Sequence, residues 1–344
     1  MARKDRFINA CWQEQVDCTP VWIMRQSGRY LKEYRDIRKK YSFMTMCKTP
    51  SLATTLTLLP VYKIEVDAAI LFSDILIPLE AMGVEIRFID GKGPVILNPV
   101  RKSEDLDSLR IIDAQQDVPF VIETIKLVLN KLDGEVPLIG FSGAPFTLAS
   151  YLVEGGSSRH YLKIKSMMYN DPVTYETMMD KVVETIISYL NAQIKAGVQA
   201  IQIFDSWIGC FSPQDYEKYV MPYTKRVIEG LERDDVPVIH FATGSATLLE
   251  FMKKAGGEVI GIDWRINIDD AWKIIGYDKA IQGNLDPAVL FASKDEVEER
   301  VRDILMRVNN RPGHIFNLGH GVLPKTPVEN VITMVRAVHK YSAR

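Results

Sequence analysis

The sequence predicts a single (β/α)8 barrel of the TIM type, because short apolar runs alternate with helical patterns from end to end. Eight runs rich in Val, Ile and Phe are too short for helices and suit strands buried on both faces of a parallel sheet. They are VWIM (21–24), AAILF (68–72), PLIGF (137–141), AIQIF (200–204), PVIHF (237–241), VIGID (259–263), AIQG (280–283) and HIFNL (314–318). A doubly wound open sheet is the alternative, since a count of strands does not prove that the sheet closes.

Helical patterns occupy the intervals, and several begin with a cap residue followed by proline, which pre-sets the first turn of a helix. The predicted helices are 115–132, 172–196, 213–232, 245–255, 268–275, 295–309 and 327–341. One insertion interrupts the alternation. VEIRFIDGKGPVIL (84–97) alternates on both sides of Asp90-Gly91 and predicts a β-hairpin after the second strand. Because no linker or low-complexity tract appears, we expect one domain over residues 1–344.

The composition excludes several classes of partner. Of the 344 residues, 47% are hydrophobic and 25% charged, as in an average globular chain, and the net charge is −2. So small a charge creates no general field that attracts nucleic acid or anionic membranes. Anion binding would therefore need a local cluster of arginines. No GxGxxG or GxxxxGK[ST] motif follows a strand, so nucleotide binding has no support.

Compartment and metal content can also be inferred. The start, MARKDRFINA, lacks the apolar core of a signal peptide, and no run of 18 apolar residues suggests a membrane span. Cys11, Cys18, Cys47 and Cys210 are scattered, with no CxxC pair. We therefore expect a cytoplasmic protein with free thiols, rather than a disulfide framework or a zinc site.

The residues that follow the strands are polar or glycine, and in a barrel of this kind the active site lies at those carboxyl ends. They read RQSGR, SDIL, SGAPF, DSWIG, ATGS, DWR, GNLDP and GHG. The first of these places Arg25 and Arg29 four residues apart around Gly28. A solvated pair of charges would explain the two arginines, but so would a site that binds several carboxylates.

Seven stretches resemble the uroporphyrinogen decarboxylase family, in that family's order. They are PVWIMRQSGRYLKEYR, VDAAILFSDIL, GFSGAPFTLASYLVEGG, IQIFDSWIG, VIGIDWR, QGNLDP and NLGHGVLPKTP. The resemblance implies a (β/α)8 barrel, no cofactor and a homodimer. It also implies a reaction: the four acetate side chains of uroporphyrinogen become methyl groups, giving coproporphyrinogen and four CO₂.

Carried over position by position, the resemblance implies a set of site residues. Asp74, Arg25 and Tyr151 are the expected catalytic residues. The expected substrate-binding residues are Arg25, Gln26, Arg29, Asp74, Tyr151, Ser206 and His320. Arg38 matches a further polar position of the same motif, and Ser27 stands where many members have alanine.

The chemistry of this substrate explains why such residues are needed. Uroporphyrinogen carries eight carboxylates, which arginine can bind with paired donors while keeping its charge. Asp74 follows ILFS, so burial is expected, and the four inward pyrrole N–H groups would supply its hydrogen-bond partners. The same charge would stabilise a protonated pyrrole, which accepts the electrons of the breaking C–C bond. The substrate then performs the task of a cofactor. Which group gives the first proton stays open.

Two alternative functions are compatible with parts of this pattern. Zinc-dependent corrinoid methyltransferases of the same superfamily carry an HxC element near the fifth strand, whereas this chain has His240-Phe241-Ala242 and no cysteine beyond Cys210. A tetrapyrrole carrier would keep the arginines but would not need Asp74, Tyr151 and His320 together. Other conspicuous residues are expected to be structural or at the surface, namely Asp205, Asp263, His160, His314 and His339.

Overall fold

A parallel sheet forms the centre of the molecule. The computed structural model describes residues 1–89 and 93–344. The strands are β1 (Ala69–Ile70), β2 (Ile86–Ile89), β3 (Gly93–Ile96), β4 (Leu138–Gly143), β5 (Ala200–Asp205), β6 (Val238–Ala242), β7 (Val259–Gly261), β8 (Ala280–Leu285) and β9 (His314–Leu318). Seven of them form the sheet in the order β1-β4-β5-β6-β7-β8-β9, with parallel pairing throughout.

Helices connect and cover these strands. They are α1 (Arg3–Cys11), α2 (Lys32–Arg38), α3 (Phe43–Lys48), α4 (Pro50–Ile64), α5 (Ile77–Ala81), α6 (Ala114–Asp117), α7 (Pro119–Leu132), α8 (Pro145–Glu154), α9 (Leu162–Asn170), α10 (Pro172–Ala196), α11 (Pro213–Tyr219), α12 (Met221–Glu229), α13 (Leu249–Ala255), α14 (Ile268–Ile275), α15 (Lys294–Val308) and α16 (Val328–Ser342). One continuous hydrophobic core joins the sheet to these helices.

The segment around Val21 closes the sheet into a ring. Val21 forms a parallel bridge with Phe316 of β9, and the Phe316 N–H donates to the Pro20 carbonyl at 2.8 Å. On the other side, the Asp67 N–H donates to the Val21 carbonyl at 2.8 Å, just ahead of β1. The segment is therefore the eighth member of the ring. The strands follow one another in chain order without a reversal, so the predicted barrel is confirmed over the open doubly wound sheet.

The other seven predicted strands match β1 and β4–β9 to within two residues at each end. The predicted strand at 21–24 is reduced to the bridge at Val21. Beyond that bridge, side chains take over the backbone donors, since Gln26 Oε1 accepts from the Ile23 N–H at 3.2 Å and Asn317 Oδ1 accepts from the Met24 N–H at 3.1 Å. The chain can then leave the sheet without unpaired N–H groups.

Proline divides two of the predicted helices. The pattern over 115–132 contains a break before Pro119, and the pattern over 213–232 contains one before Pro222. Proline has no N–H for the preceding turn, so it begins a new helix instead of continuing the old one. The hydrophobic pattern of the sequence does not predict the helices α1–α5, α8 and α9. Helix α4 shows why, because it carries buried side chains on several sides and has no amphipathic period.

The insertion after β1 and α5 contains an antiparallel pair, β2 with β3, in which Ile86 lies opposite Ile96. The predicted turn at Asp90-Gly91 lies outside the described residues.

A buried carboxylate joins four elements at the amino-terminal end of the barrel. Asp67 has no exposed surface. It accepts from the Val21 N–H at 2.8 Å, from Arg6 Nη1 of α1 at 2.6 Å, and bonds His339 Nε2 of α16 at 2.6 Å. His339 is thus structural, in line with the expectation from sequence.

Replacing Asp67 by alanine should therefore destabilise the fold strongly. Removal of one partner from a buried charged network leaves the others uncompensated and typically costs about 3–5 kcal/mol. Urea unfolding of Asp67→Ala should show this loss in the free energy of unfolding. Asp36→Ala is the control, since Asp36 forms an exposed pair with Lys39 and should change stability little. Equal effects of the two variants would contradict the assignment.

Candidate active site

The predicted site residues gather at the carboxyl-terminal mouth of the barrel. Arg25 follows the closing segment and Asp74 lies four residues beyond β1. Tyr151 is on α8, Ser206 directly follows β5, and His320 lies two residues beyond β9. Parallel strands bring all these ends to one rim, as the barrel prediction requires.

A strained turn presents Arg25. Its φ is +61°, a left-handed conformation that is uncommon for a residue other than glycine. The turn is anchored by Gln26, whose backbone N–H donates to the Ile23 carbonyl at 3.0 Å and whose Nε2 donates to the Ala68 carbonyl at 3.1 Å. A Cβ at Gly28 would lie 2.8 Å from the Arg25 carbonyl, so the glycine is needed for this close approach.

Gln26 is buried, with 1% exposure, and both ends of its amide are bonded to protein. Its predicted contact with substrate stays a prediction, and these bonds favour a role in positioning Arg25. Arg29 is exposed at the rim. Its charge acts on the neighbouring Tyr34. Burial raises the phenol pKa of Tyr34, and the positive charge of Arg29 partly offsets that rise.

Asp74 is a partly buried carboxylate whose Oδ1 accepts from the Leu76 N–H at 2.9 Å. That bond is the one hydrogen bond that the described part of the chain gives its side chain. Burial raises the pKa of Asp74 to about 6, while the Leu76 N–H and the positive charge of Arg25 oppose the rise. The carboxylate makes one hydrogen bond and has acceptor capacity for further donors.

Tyr151 belongs to the same electrostatic cluster. Its ring packs edge-on against Trp207, with centroids 6.2 Å apart. Burial raises the phenol pKa, the negative charge of Asp74 raises it further, and Arg25 lowers it. The hydroxyl thus stays protonated at neutral pH and can donate a hydrogen bond beside Asp74. Trp207 was not anticipated, because an aromatic residue two positions after a strand looks like ordinary core.

His320 is held as a neutral donor. The Gly321 N–H donates to its Nδ1 at 2.7 Å, so the ring proton of the neutral form is on Nε2. Burial lowers the His320 pKa to about 4, and the nearby charges of Arg25 and Arg265 lower it too. A Cβ at Gly321 would lie 2.8 Å from Cγ of Arg25, so this glycine leaves space for the arginine side chain.

Ser206 lies where the loops after β5 and β6 meet. Its carbonyl accepts from Thr243 Oγ1 at 2.6 Å, and a Cβ at Gly209 would lie 2.6 Å from the Thr243 carbonyl. The hydroxyl of Thr243 thus holds the Ser206 backbone, and the close approach at Gly209 brings the two loops together.

Two further aspartates brace these loops, as the sequence suggested. Asp205 is fully buried and bonds Thr147 at 3.4 Å and His240 Nε2 at 3.3 Å. Asp263 accepts from the Gly244 N–H at 2.7 Å and the Arg265 N–H at 3.0 Å. Asp205 therefore ties the end of β5 to α8 and β6, and Asp263 ties the loop after β7 to the loop after β6; both aspartates are buried.

Two features of the structure bear on other functions. Among the described residues, no group of three or more His, Cys, Asp or Glu side chains is arranged to hold a metal ion. In the same part of the chain, no helix is both long enough and apolar enough to cross a membrane.

Comparisons with known proteins point to one family. The family profile "Uroporphyrinogen decarboxylase (URO-D)" matches residues 2–341. The uroporphyrinogen decarboxylase of Carboxydothermus hydrogenoformans is 53% identical over 339 residues, covering 98% of this chain and 97% of the relative. That of Geobacter sulfurreducens is 54% identical over 340 residues, covering 99% of both. Among solved structures, a methyltransferase from Methanosarcina mazei matches with a TM-score of 0.84 and 22% identity over 99% of both chains, which shows the shared fold alone.

The raised pKa of Asp74 predicts that its ionised carboxylate lowers the free energy of unfolding at neutral pH. Because its pKa is about 6 in the folded protein against 3.8 ordinarily, the folded state binds more protons between these values. Stability therefore falls as pH rises through that window, and the cost persists at pH 7. Asp74→Asn should raise the free energy of unfolding by about 1–3 kcal/mol at neutral pH, with the gain shrinking towards pH 4.

Urea unfolding of both proteins across this pH range measures the effect. A variant that is equally destabilised at every pH would show instead that the Asp74 carboxylate is a structural brace.

Proposed function

The chain belongs to the uroporphyrinogen decarboxylase family, and we propose that it is a carboxy-lyase of porphyrin and haem biosynthesis. It converts the four acetate side chains of uroporphyrinogen III to methyl groups and yields coproporphyrinogen III and four CO₂. One observation of the structure carries the proposal beyond the similarity. A partly buried carboxylate, Asp74, lies at the mouth of the barrel within the electrostatic reach of Arg25 and Tyr151.

Asp74 is assigned to the centre of the macrocycle. Its side chain accepts one backbone N–H, and a carboxylate can accept several more donors, which suits a ring with four inward N–H groups. Hydrogen bonds from the ring N–H groups would favour the charged form of Asp74 and lower its pKa again. The restored negative charge would then stabilise the cation formed when a pyrrole carbon is protonated.

Arg25 and Tyr151 are assigned to the reacting acetate. Arg25 supplies charged donors from a turn whose backbone is fixed before substrate arrives. Tyr151 supplies a hydroxyl that remains protonated beside the Asp74 charge. When CO₂ leaves, the bonding electrons pass into the protonated pyrrole, and a second protonation completes the methyl group. No cofactor is assigned, because the substrate itself is the electron acceptor.

The remaining residues are assigned to substrate carboxylates. Arg29 holds a carboxylate at the rim, Ser206 donates its hydroxyl, and neutral His320 donates from Nε2. Gln26 acts by positioning Arg25. We further propose one (β/α)8 domain over residues 1–344, a homodimer and a cytoplasmic location, on the strength of the family and the continuous core.

The decisive experiment is anaerobic incubation of the purified protein with uroporphyrinogen III, followed by separation of products by carboxyl number. Heptacarboxyl through tetracarboxyl products should appear over many turnovers, and the activity should survive exhaustive chelation. Tight binding without turnover would indicate a carrier. Loss of activity on chelation, restored by zinc, would revive the methyltransferase alternative, for which the structure offers no thiolate ligand beside His240.

Arg25→Ala should impair turnover far more than Arg336→Ala, an exposed position on α16. Loss of a charged hydrogen bond typically costs ~1.5–3 kcal/mol, or roughly 10- to 150-fold in kcat/KM. Arg29→Ala should also impair turnover more than Arg336→Ala, because Arg29 is assigned to a substrate carboxylate. Steady-state kinetics of the three variants test the order, and near-normal values for both site variants would remove the arginines from the carboxylate site.

Two substitutions separate the charge of Asp74 from its shape. Asp74→Asn keeps the acceptor for the Leu76 N–H but removes the charge, so single-turnover decarboxylation should be lost. Asp74→Glu keeps the charge but moves it about one methylene further out, so it should retain more activity as the flexible substrate shifts. An Asn variant that decarboxylates at the rate of the unchanged protein would reduce Asp74 to a loop brace.

The pH profile should carry the signature of the same group. In the free protein Asp74 becomes neutral as pH falls through about 6, so kcat/KM should decline there. The decline in kcat should occur at lower pH, because bound N–H donors favour the ionised carboxylate. Coincident profiles for the two parameters would argue against contact between Asp74 and the macrocycle.

A further inference from the structure

Arg265 is a third arginine at the mouth and was not among the residues expected from sequence. It follows β7 by four residues, in the stretch DWR. Its guanidinium lies over the ring of Trp264, 4.2 Å from the centroid, and Nη1 pairs with Asp263 Oδ2. The Asp263 side chain is 2% exposed, whereas that of Arg265 is 53% exposed. One edge of the guanidinium is thus anchored to a buried carboxylate while the rest faces outward.

Arg265 is joined to the His320 loop through Trp264. A Cβ at Gly319 would lie 2.9 Å from Cε3 of Trp264, so the loop that carries His320 packs directly on that indole. On the other side of His320, Gly321 packs against the side chain of Arg25. The low pKa of His320 agrees with this placement, since Arg25 and Arg265 both contribute to it after burial. Arg25, His320 and Arg265 therefore form a row of donors along the rim.

Arg265 has N–H donors that are not hydrogen-bonded within the described part of the protein. A guanidinium has five N–H groups. Within the described residues, the hydrogen bonds of the Arg265 side chain go to Asp263 through Nη1 alone. The fixed edge and the Trp264 stack hold the planar fork in place, which lowers the entropy lost when an anion binds.

The position of Arg265 in the ring indicates which kind of carboxylate it would hold. Counting from β1, which precedes Asp74, the order β1-β4-β5-β6-β7 places β7 four strands away in a ring of eight. Arg265 is therefore across the mouth from Asp74. Arg25 acts electrostatically on both Asp74 and Tyr151, whereas Arg265 acts on His320, so we assign a carboxylate at Arg265 to a group that does not react.

We propose that Arg265, beside His320, binds a propionate carboxylate at the periphery of the tetrapyrrole, on the side of the mouth opposite Asp74. This inference rests on the proposed function, and it adds a specificity-determining residue to that site. Because the propionates are unchanged by the reaction, the contact stabilises the ground state and the transition state alike. Its loss should therefore raise KM and leave kcat nearly unchanged.

The test compares Arg265→Gln, Arg265→Lys and the surface control Arg336→Gln with the unchanged protein, using uroporphyrinogen III. Arg265→Gln should raise KM about tenfold, as expected for a lost charge-assisted hydrogen bond, with kcat within about twofold. Arg265→Lys, which keeps the charge but loses the planar fork, should show an intermediate rise. KM of the unchanged protein should also increase more steeply with added salt than KM of Arg265→Gln, since one screened charge pair is gone.

Several results would overturn the inference. An unchanged KM for Arg265→Gln, an equal salt dependence, or a fall in kcat and thermal stability without a change in KM would leave Arg265 as a brace for Asp263 alone. Should the Gln variant not fold, the KM of Arg265→Lys decides, and a value equal to that of the unchanged protein counts against the contact. If the unchanged protein does not decarboxylate uroporphyrinogen at all, the proposed function fails first and this inference fails with it.

Discussion

The closure of the barrel at Val21 is the constraint on which the site depends. The bridge at Val21 completes the ring, because its neighbours Pro20 and Trp22 bond Phe316 of β9. On the other side, the Val21 carbonyl accepts from the Asp67 N–H and the Val21 N–H donates to the Asp67 carboxylate. From there only three residues separate the bridge from Arg25. The chain cannot continue as a strand, so Gln26 and Asn317 satisfy its donors and the backbone turns through a left-handed residue. The orientation of Arg25 at the mouth is thus a consequence of how the barrel closes.

The electrostatics of the mouth are unbalanced in a way that suits an anionic ligand. Asp74 is held where burial disfavours its charge, and His320 is held neutral by burial and by two arginines. Both conditions are unfavourable for the protein without a ligand, because the charged forms of Asp74 and His320 would be better solvated in water than at these buried positions. A ligand that carries N–H donors at its centre and carboxylates at its edge would relieve both at once. Stability is given up at the residues where such a ligand would bind.

The sequence predicted the architecture well because strands buried on both faces appear as short continuous apolar runs. The predicted bounds of β9 agree with the structure at both ends. It predicted less where distant side chains decide the local structure. The Met24 N–H is bonded by Asn317, 293 positions away, so no local pattern could have ended the first strand at Val21. Arg265 was missed for a similar reason. An arginine after a strand is ordinary until Trp264, Asp263 and the His320 loop are seen to hold it.

The wall of the barrel also shows why a shared fold does not settle the chemistry. The methyltransferase from Methanosarcina mazei has the same architecture at 22% identity, yet a fold of this kind supports many reactions through the residues at its strand ends. In this chain His240 lies within β6, fully buried, and bonds Asp205 below the loop that bears Ser206. Its Nε2 bonds the carboxylate at the end of β5, and the residue two positions on is Ala242 rather than a thiolate ligand. In this chain the histidine is part of the packing that supports the end of β5. Function therefore has to be argued from which groups face the mouth, namely Arg25, Asp74, Tyr151 and His320, and not from the barrel that carries them.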